Sequence, residues 1–408
     1  MDFEETAEDA AFRAEARAWL EQHAPPLGSE DDFVSDREGG GLNDLGWVKR
    51  CKEWQGVLAD HGWACINWPV EYGGRGGTSR EASIFAQEQS RFGVSNGVFA
   101  VGIGMAGPTI IEHGTDAQKE RFLPKLLHGD EVWCQLFSEP GAGSDLAGVS
   151  TRAVRDGDEW VVNGQKVWTS GAQHSDWGIL VARSDVDVPK HRGITYFLVD
   201  MASQGIEIRP LRQMNGGAHF NEVFMTDVSV PHANVLGDVG GGWRAAMTTL
   251  SNERALIGGG RNGPDFDDLV ELARQRGLDH DATVRQGLAD THIRSRILEF
   301  LGYRVQTATA HGETPGSEAS IMKLVYAGHL KRTAELALAI EGPAATLLDA
   351  DAPADGAWQQ SFLSAPSIRI AGGSDEIQRN IIGERVLGLP KEPQVDREIP
   401  FREIPRGA

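Results

Sequence analysis

The chain reads as a multidomain α+β protein with three parts: a helical domain over residues 1–130, a compact middle β domain over 131–237 and a helical-bundle domain over 238–408. Two observations predict this. Apolar residues recur at helical spacing up to about residue 130, change to strand-like alternation in the middle, and return to helical spacing from Gly240 with few turn signals between runs. The length, 408 residues, exceeds that of a usual single domain and is ample to bury a core. No internal repeat or low-complexity tract stands out.

The elements follow in order. Glu8 to Gln22 carries Ala11, Phe12, Ala16, Trp19 and Leu20 on one helical face, and Pro25-Pro26 should stop that helix. A long acidic, glycine-rich loop separates it from a second amphipathic helix, Leu45 to His61, which ends at Gly62. Glu71-Tyr72-Gly73-Gly74 then forms a turn-rich connection. Ser83 to Phe92 and Val98 to Glu112 continue the helical pattern, and Thr115 caps a helix over Ala117 to Leu127. Strands are expected at 132–137, 151–155, 159–162, 177–182, 194–199, 206–209 and 222–230. Helices are expected at 243–256, 265–276, 283–309, 318–339 and 358–362, with a loop around 349–357 and a final helix over 375–387. Leu298 to Val305 and Leu336 to Ile340 offer more apolar surface than one layer needs, which points to subunit contacts.

Composition excludes several classes. The 39 basic residues against 59 acidic ones give a net charge of −20, which argues against a general nucleic-acid or anionic-membrane binder. Cys51, Cys65 and Cys134 are too few and too scattered for a disulfide framework or a thiolate zinc site, so a reducing compartment is the natural reading. The 12 histidines form no HExxH, and no metal site is expected. The amino-terminal MDFEETAEDA lacks the apolar stretch of a signal peptide, and no apolar run approaches the roughly 18 residues of a membrane span. A cytoplasmic protein without membrane insertion is the expectation.

The chain is organised around residues 131–177. An apolar strand, Val132 to Phe137, runs into SEPGAGSD, a loop whose small residues leave backbone N–H groups free to wrap a ring edge or a phosphate. Alone, such a loop reads as a surface turn. It is followed by NGQK, read as a turn, and by Val167-Trp168-Thr169-Ser170, which sets an aromatic plane beside two hydroxyls and suits a flat heteroaromatic cofactor. This pair of motifs, in this order and spacing, closely resembles the middle domain of the acyl-CoA dehydrogenase family, and the resemblance runs essentially the full length of the chain. It implies the family's fold, an N-terminal helical domain, a middle β-barrel domain and a C-terminal four-helix-bundle domain, and bound FAD. Carried over by position, it implicates Leu136, Ser138, Gly143 and Ser144 in the loop and Trp168, Thr169 and Ser170 in the strand as FAD contacts, with Ser144 also toward substrate.

Removing two hydrogens across Cα and Cβ of an acyl thioester needs a base for the α-proton and an acceptor for the β-hydride, and burial tunes a carboxylate toward the first task. In the best-known members that base lies near the carboxyl terminus, just before a G-[TS]-x-x-I-Q segment. Here the matching residue is Gly372, which cannot abstract a proton. A subset of the family places the base on a helix of the carboxyl-terminal domain, before a shared arginine. That pair is Glu253-Arg254 in this chain, so the resemblance assigns Glu253 as the base and Arg254 as a structural or acyl-CoA-orienting cation. The alternative for Glu253 is an exposed helical ion-pair former. Glu376 and Asp375 fall in the first turn of the last helix, where acids serve the helix terminus, and Ser374 reads as its cap. In the family this helix start approaches FAD, which implicates Gly373, Ser374, Glu376 and Gln378.

The region that grips the FAD adenine and pyrophosphate departs from the family pattern. Arg274, Arg276, Arg285 and Gln286 are available there without a matching spacing, and Glu341-Gly342-Pro343 stands where many members have G-G-x-G. The ending from Gly372 to Pro390 is similar to a bacterial branch that acts on bulky CoA thioesters, steroid side-chain derivatives among them, some as heteromers. The resemblance therefore implies an FAD-dependent acyl-CoA dehydrogenase that forms trans-2-enoyl-CoA, passes electrons to an electron-transfer flavoprotein, and assembles as a homotetramer or as a heterotetramer with a paralogous subunit. Two rivals remain open at this point: an oxidase or monooxygenase on the same fold, and a non-catalytic partner subunit.

Overall fold

The computed structural model describes residues 6–34, 45–256, 263–310 and 318–405. Its chain divides into two compact units: Glu5–Glu253 together with Glu392–Ala408, and Met1–Glu4 together with Arg254–Lys391.

The first unit begins with helices α1 (Ala7–His23), α2 (Leu45–Asp60), α3 (Ser79–Gln89), α4 (Gly107–His113) and α5 (Asp116–His128). Their starts are chemically marked. Thr78 with Glu81, and Thr115 with Gln118, form reciprocal capping boxes that satisfy the first free N–H groups of α3 and α5. The helices bury Leu20, Trp54, Leu58, Trp63, Phe85 and Phe99 together. Glu88, buried on α3, accepts hydrogen bonds from Arg13 (2.8 Å) and Arg17 (2.7 Å) of α1, which hold its carboxyl pKa down at about 2 against the opposing effect of burial.

The expected helix over 98–112 is present as a continuous helical run that begins as a 3₁₀ turn (Gly97–Phe99) and passes through a π-helical turn (Gly102–Ala106) into α4. Packing explains two glycines on this run: a Cβ at Gly107 would lie 2.1 Å from the Trp68 ring, and one at Gly102 would lie 2.7 Å from Leu126.

Strands β1 (Trp133–Leu136), β2 (Arg152–Asp156), β3 (Glu159–Ser170), β4 (Trp177–Arg183), β5 (Ile194–Asp200), β6 (Ile206–Leu211) and β7 (Phe220–Pro231) make one mixed sheet, ordered β1-β4-β2-β3-β7-β6, with β5 also paired to β4. Residues of alternate parity on β4 and β5 face opposite sides. Ile179, Val181, Tyr196 and Leu198 share a core with Ala245 and Ala246 of α6 (Gly242–Leu256), whereas Leu180, Ala182, Phe197 and Val199 share another with Trp160, Val223 and Met225. Burial on both faces is why these strands read as continuous apolar runs.

NGQK is not a turn. Asn163 to Lys166 lie inside β3, where the ladder with β7 shifts register between Val162 and Gly164 and again between Lys166 and Thr169. Asn163 exchanges hydrogen bonds with Asp227, accepting from its backbone N–H (2.9 Å) and donating to its carboxylate (3.0 Å). Gly164 lets β3 pass close to Thr151, whose hydroxyl would lie 2.4 Å from a Cβ there.

The second unit contains α7 (Phe266–Gln275), α8 (Ala282–Ala310), α9 (Glu318–Glu341), α10 (Ala357–Ile368) and α11 (Asp375–Ile381). Helix α9 packs against each of the other four, and Leu269, Leu272, Ala337, Ile340 and Trp358 form the shared core. Helix α10 runs on to Ile368 past the expected end at Phe362, with Pro366 accommodated inside its last turn. Among the described residues no helix is long and apolar enough to cross a membrane.

Candidate active site

The SEPGAGSD loop is built from its ends inward. Glu139 is buried, and its carboxylate accepts from the backbone N–H groups of Ser150 (2.6 Å) and Thr151 (2.9 Å) and from Lys166 Nζ (2.8 Å). The same ammonium donates to the Phe137 carbonyl (2.9 Å), and Val167 N–H donates to the Ser138 carbonyl (2.9 Å). One buried ion pair therefore closes the loop and fastens it to β3. Burial opposes ionisation of Glu139, but Lys166 and the donors from Thr151 and Ser150 outweigh it and hold its pKa below the usual carboxylate value. Burial pushes Lys166 down to about 8, with Glu139 working against that shift. At neutral pH both are charged.

With its ends fixed, the loop leaves its tip open. Gly143 and Ser144 are exposed, and a Cβ at Gly143 would meet nothing within 4 Å. Leu136 is fully buried in the sheet core, so what it offers a ligand is its backbone; Ser138 is half-buried.

On β3 the register shift turns the chain outward at Trp168. This residue has φ of 61° and is 61% exposed, an uncommon combination for a tryptophan, with its indole standing edge-on to Phe220. Thr169 next to it is fully buried, yet its hydroxyl oxygen has no protein partner, while its carbonyl accepts from Asn221 Nδ2 (3.0 Å). Ser170 is half-buried at the strand end. An exposed indole, an orphaned buried hydroxyl and an open glycine tip are the groups a flat heteroaromatic ring would use.

Helix α6 crosses the other face of the sheet and is pinned by hydroxyls. Thr249 Oγ1 lies 2.9 Å from both Tyr196 Oη and Thr109 Oγ1 and donates to the Ala245 carbonyl. One turn on, Glu253 receives a hydrogen bond from Gln135 Nε2 (3.3 Å). Gln135 precedes Leu136 on β1, and alternation sends it to the face opposite the sheet core, toward α6. Glu253 is thus held beside the strand that feeds the SEPGAGSD loop. Arg254 lies in the last turn of α6, and its side chain falls outside the described residues.

In the second unit, the turn before α11 places Gly372 and Gly373 at φ of 62° and 88°. A Cβ at Gly373 would lie 2.7 Å from Gln378 Nε2. That amide donates to the Gly372 carbonyl (2.8 Å), and Lys323 Nζ donates to the Gly373 carbonyl (2.6 Å). Arg369 pairs with buried Asp375 (2.7 Å) across the same turn, and Ser374 caps α11 by accepting from Ile377 N–H. Gln378 therefore braces the turn with its NH2 and keeps a buried, unpartnered Oε1. Glu376 is exposed, and the helix-terminal N–H and Ser374 hold its pKa below the usual value, which does not suit a proton-abstracting base. Glu341 is buried beside Gln359 (2.6 Å), and burial raises its pKa. Arg274 is exposed on α7 and paired with Glu271.

Residues 6–130, 134–228 and 240–387 match, in turn, the N-terminal, middle and C-terminal domains of acyl-CoA dehydrogenases. The chain belongs to the acyl-CoA dehydrogenase family. It is an oxidoreductase of an FAD-dependent family. The acyl-CoA dehydrogenase IpdE1 of Mycobacterium tuberculosis is 40% identical over 385 residues, covering 93% of this chain and 98% of the relative. Among solved structures, the Tcur3481-Tcur3483 steroid ACAD aligns with a TM-score of 0.83 at 31% identity, over 96% of this chain and all of the other. The ChsE4-ChsE5 complex from Mycobacterium tuberculosis aligns with a TM-score of 0.75 at 29% identity, over the same shares.

Within the dehydrogenase, sequence reasoning missed Glu139, Lys166 and Gln135. The first two belong to the very motifs that were singled out, and a glutamate and a lysine at the roots of two adjacent polar segments are a readable signal for a buried pair. Gln135 gave a weaker one: a lone amide in the otherwise apolar run around Cys134 and Leu136.

Proposed function

We propose that this dehydrogenase catalyses FAD-dependent α,β-dehydrogenation of an acyl-CoA thioester to the trans-2-enoyl-CoA, with Glu253 as the base. The observation that carries this reading is the hydrogen bond between Glu253 and Gln135, which keeps a carboxylate beside the strand that enters the SEPGAGSD loop, while Gly372 offers no side chain at the other family position. Bound FAD supplies the acceptor for the β-hydride. Leu136, Ser138, Gly143, Ser144, Trp168, Thr169 and Ser170 would hold it, along with Gly373, Ser374, Glu376 and Gln378. The orphaned Thr169 hydroxyl and Gln378 Oε1 fit that assignment. Glu253 takes the α-proton, Ser144 and Arg254 serve the thioester, and Gln135 orients the carboxylate.

The substrate class follows the named neighbours: bulky, steroid-like acyl groups, with electrons passed to an electron-transfer flavoprotein. Ile293, Ile297 and Phe300 lie exposed along one face of α8, which supports assembly as a homotetramer or with a paralogous subunit. The test is an anaerobic titration of the purified protein with a panel of acyl-CoAs. A yellow protein bleached by a bulky thioester supports the reading. A protein that bleaches with none, alone or with a co-purified paralogue, refutes it, and peroxide at steady state would indicate an oxidase.

A further inference from the structure

The segment after α11 returns to the β-sheet unit and docks there through many separate contacts. Phe401 is buried, with the Arg183 guanidinium 3.7 Å above its ring centre. Its N–H donates to the Val188 carbonyl (2.9 Å), the N–H of Arg402 donates to the Val186 carbonyl (3.1 Å), and the Arg402 side chain pairs with Asp187 (2.8 Å). Asp396 accepts from Lys190 Nζ (2.7 Å).

The two cations that receive this segment also hold the SEPGAGSD loop. Lys190 Nζ donates to Asp145 as well (2.9 Å). Arg183, fully buried, donates to the carbonyls of Ala147 (2.5 Å), Val149 (3.2 Å) and Lys190 (2.5 Å). Asp145, Ala147 and Val149 form the descending arm that follows the loop tip and runs into Ser150 and Thr151, whose N–H groups Glu139 holds. Leu146, Ala147 and Val149 of that arm are buried, Leu146 and Val149 in the core shared with α6, whereas Asp145 at its start is exposed. A cavity of about 560 Å³, lined by Gly141, Gly148, Thr151, Lys190 and Phe401, lies between the arm and the docked segment. Burial opposes the Lys190 charge, yet Asp396 and Asp145 outweigh it and raise its pKa above the ordinary lysine value.

We propose that residues 396–404 are a clasp for the descending arm of the SEPGAGSD loop, acting through Lys190 and Arg183, so that Asp396 and Phe401 are positioning residues for the ligands of that loop. Leu146 and Val149 stay anchored in the core when the clasp is released, so the fold stays intact and what loosens is the start of the arm at Asp145. The proposal rests on the reading of this loop as the flavin and thioester loop.

The experiment compares the full-length wild type with Phe401→Ala, Asp396→Asn and the conservative Lys190→Arg. Two quantities are read: hydrogen exchange of peptides covering 139–150, and the FAD dissociation constant of the deflavinated protein. Loss of the ring under Arg183 should speed exchange of the 145–149 amides and weaken FAD by about tenfold in Phe401→Ala. Asp396→Asn should do the same to a smaller degree, with KM for the thioester raised more than kcat is lowered, and Lys190→Arg should stay near wild type. Asp396→Asn, at a partly exposed site, covers the case in which Phe401→Ala fails to fold. Unchanged loop exchange and FAD affinity in both variants, whatever their melting temperatures, would overturn the clasp. If wild type binds no FAD while loop exchange still responds to the variants, the clasp stands and the flavin reading falls.

Discussion

The two glycine-bearing polar turns of this dehydrogenase are braced in opposite ways. The SEPGAGSD loop is held at its roots, where Glu139 and Lys166 form a buried pair, and its tip at Gly143 and Ser144 is left open. The turn before α11 is held at its summit, where Lys323 and Gln378 occupy the carbonyls of Gly373 and Gly372. Root bracing preserves free N–H groups for a ligand. Summit bracing consumes carbonyls but still presents the start of a capped helix. The difference teaches where each turn tolerates change: the first at its tip, the second almost nowhere.

The largest test of this contrast is Lys166→Met. It leaves the Glu139 carboxylate buried without its cation and should destabilise the first unit by about 3–5 kcal/mol, read as a fall in denaturant midpoint. Ser144→Ala at the loop tip should leave that midpoint unchanged, and equal losses in the two variants would erase the distinction between root and tip. Gly373→Ala forces a side chain onto a backbone with φ of 88° and into the Gln378 amide. A loss of about 2 kcal/mol is expected, measured by thermal melting.

Glu88 supplies a control far from both turns. Its folded pKa is lowered to about 2 from an ordinary 4.5, so its contribution is present above pH 4.5 and is lost as pH falls through about 2. Glu88→Gln should therefore melt below wild type at pH 6, and the two should converge near pH 2. The smallest effect belongs to Gln135→Leu. It removes the amide that holds the proposed base in place, and kcat/KM should fall by about tenfold with the melting temperature little changed.

Much of this was legible in the sequence. Thr115 and Ser374 announced the starts of α5 and α11 because a cap is a local event, settled within four residues. The strand pattern on β4 and β5 was legible because both faces are buried. What escaped depends on partners far along the chain. Asn163-Gly164 carries the local signature of a hairpin turn, but β7 and Thr151 claim it for a bulged strand. The helix expected over 98–112 is there, but its π-helical turn at 102–106, next to the close contacts of Gly102 with Leu126 and of Gly107 with Trp68, left no mark in the local periodicity. Residues 396–404 show no periodicity at all, and what orders them on the sheet is remote in sequence: the Arg183 and Lys190 side chains, the carbonyls of Val186 and Val188, and Asp187. For the candidate site, the motifs nominate residues, and the structure shows the braces behind them.

The central claim is that Glu253 removes the α-proton. The most direct measurement is the rate of anaerobic flavin bleaching by a saturating thioester in wild type and in Glu253→Gln. The account predicts a yellow, folded variant whose bleaching is slowed by about a thousandfold, the range for loss of a general base. Bleaching at the wild-type rate in a folded, flavin-loaded Glu253→Gln protein would contradict it.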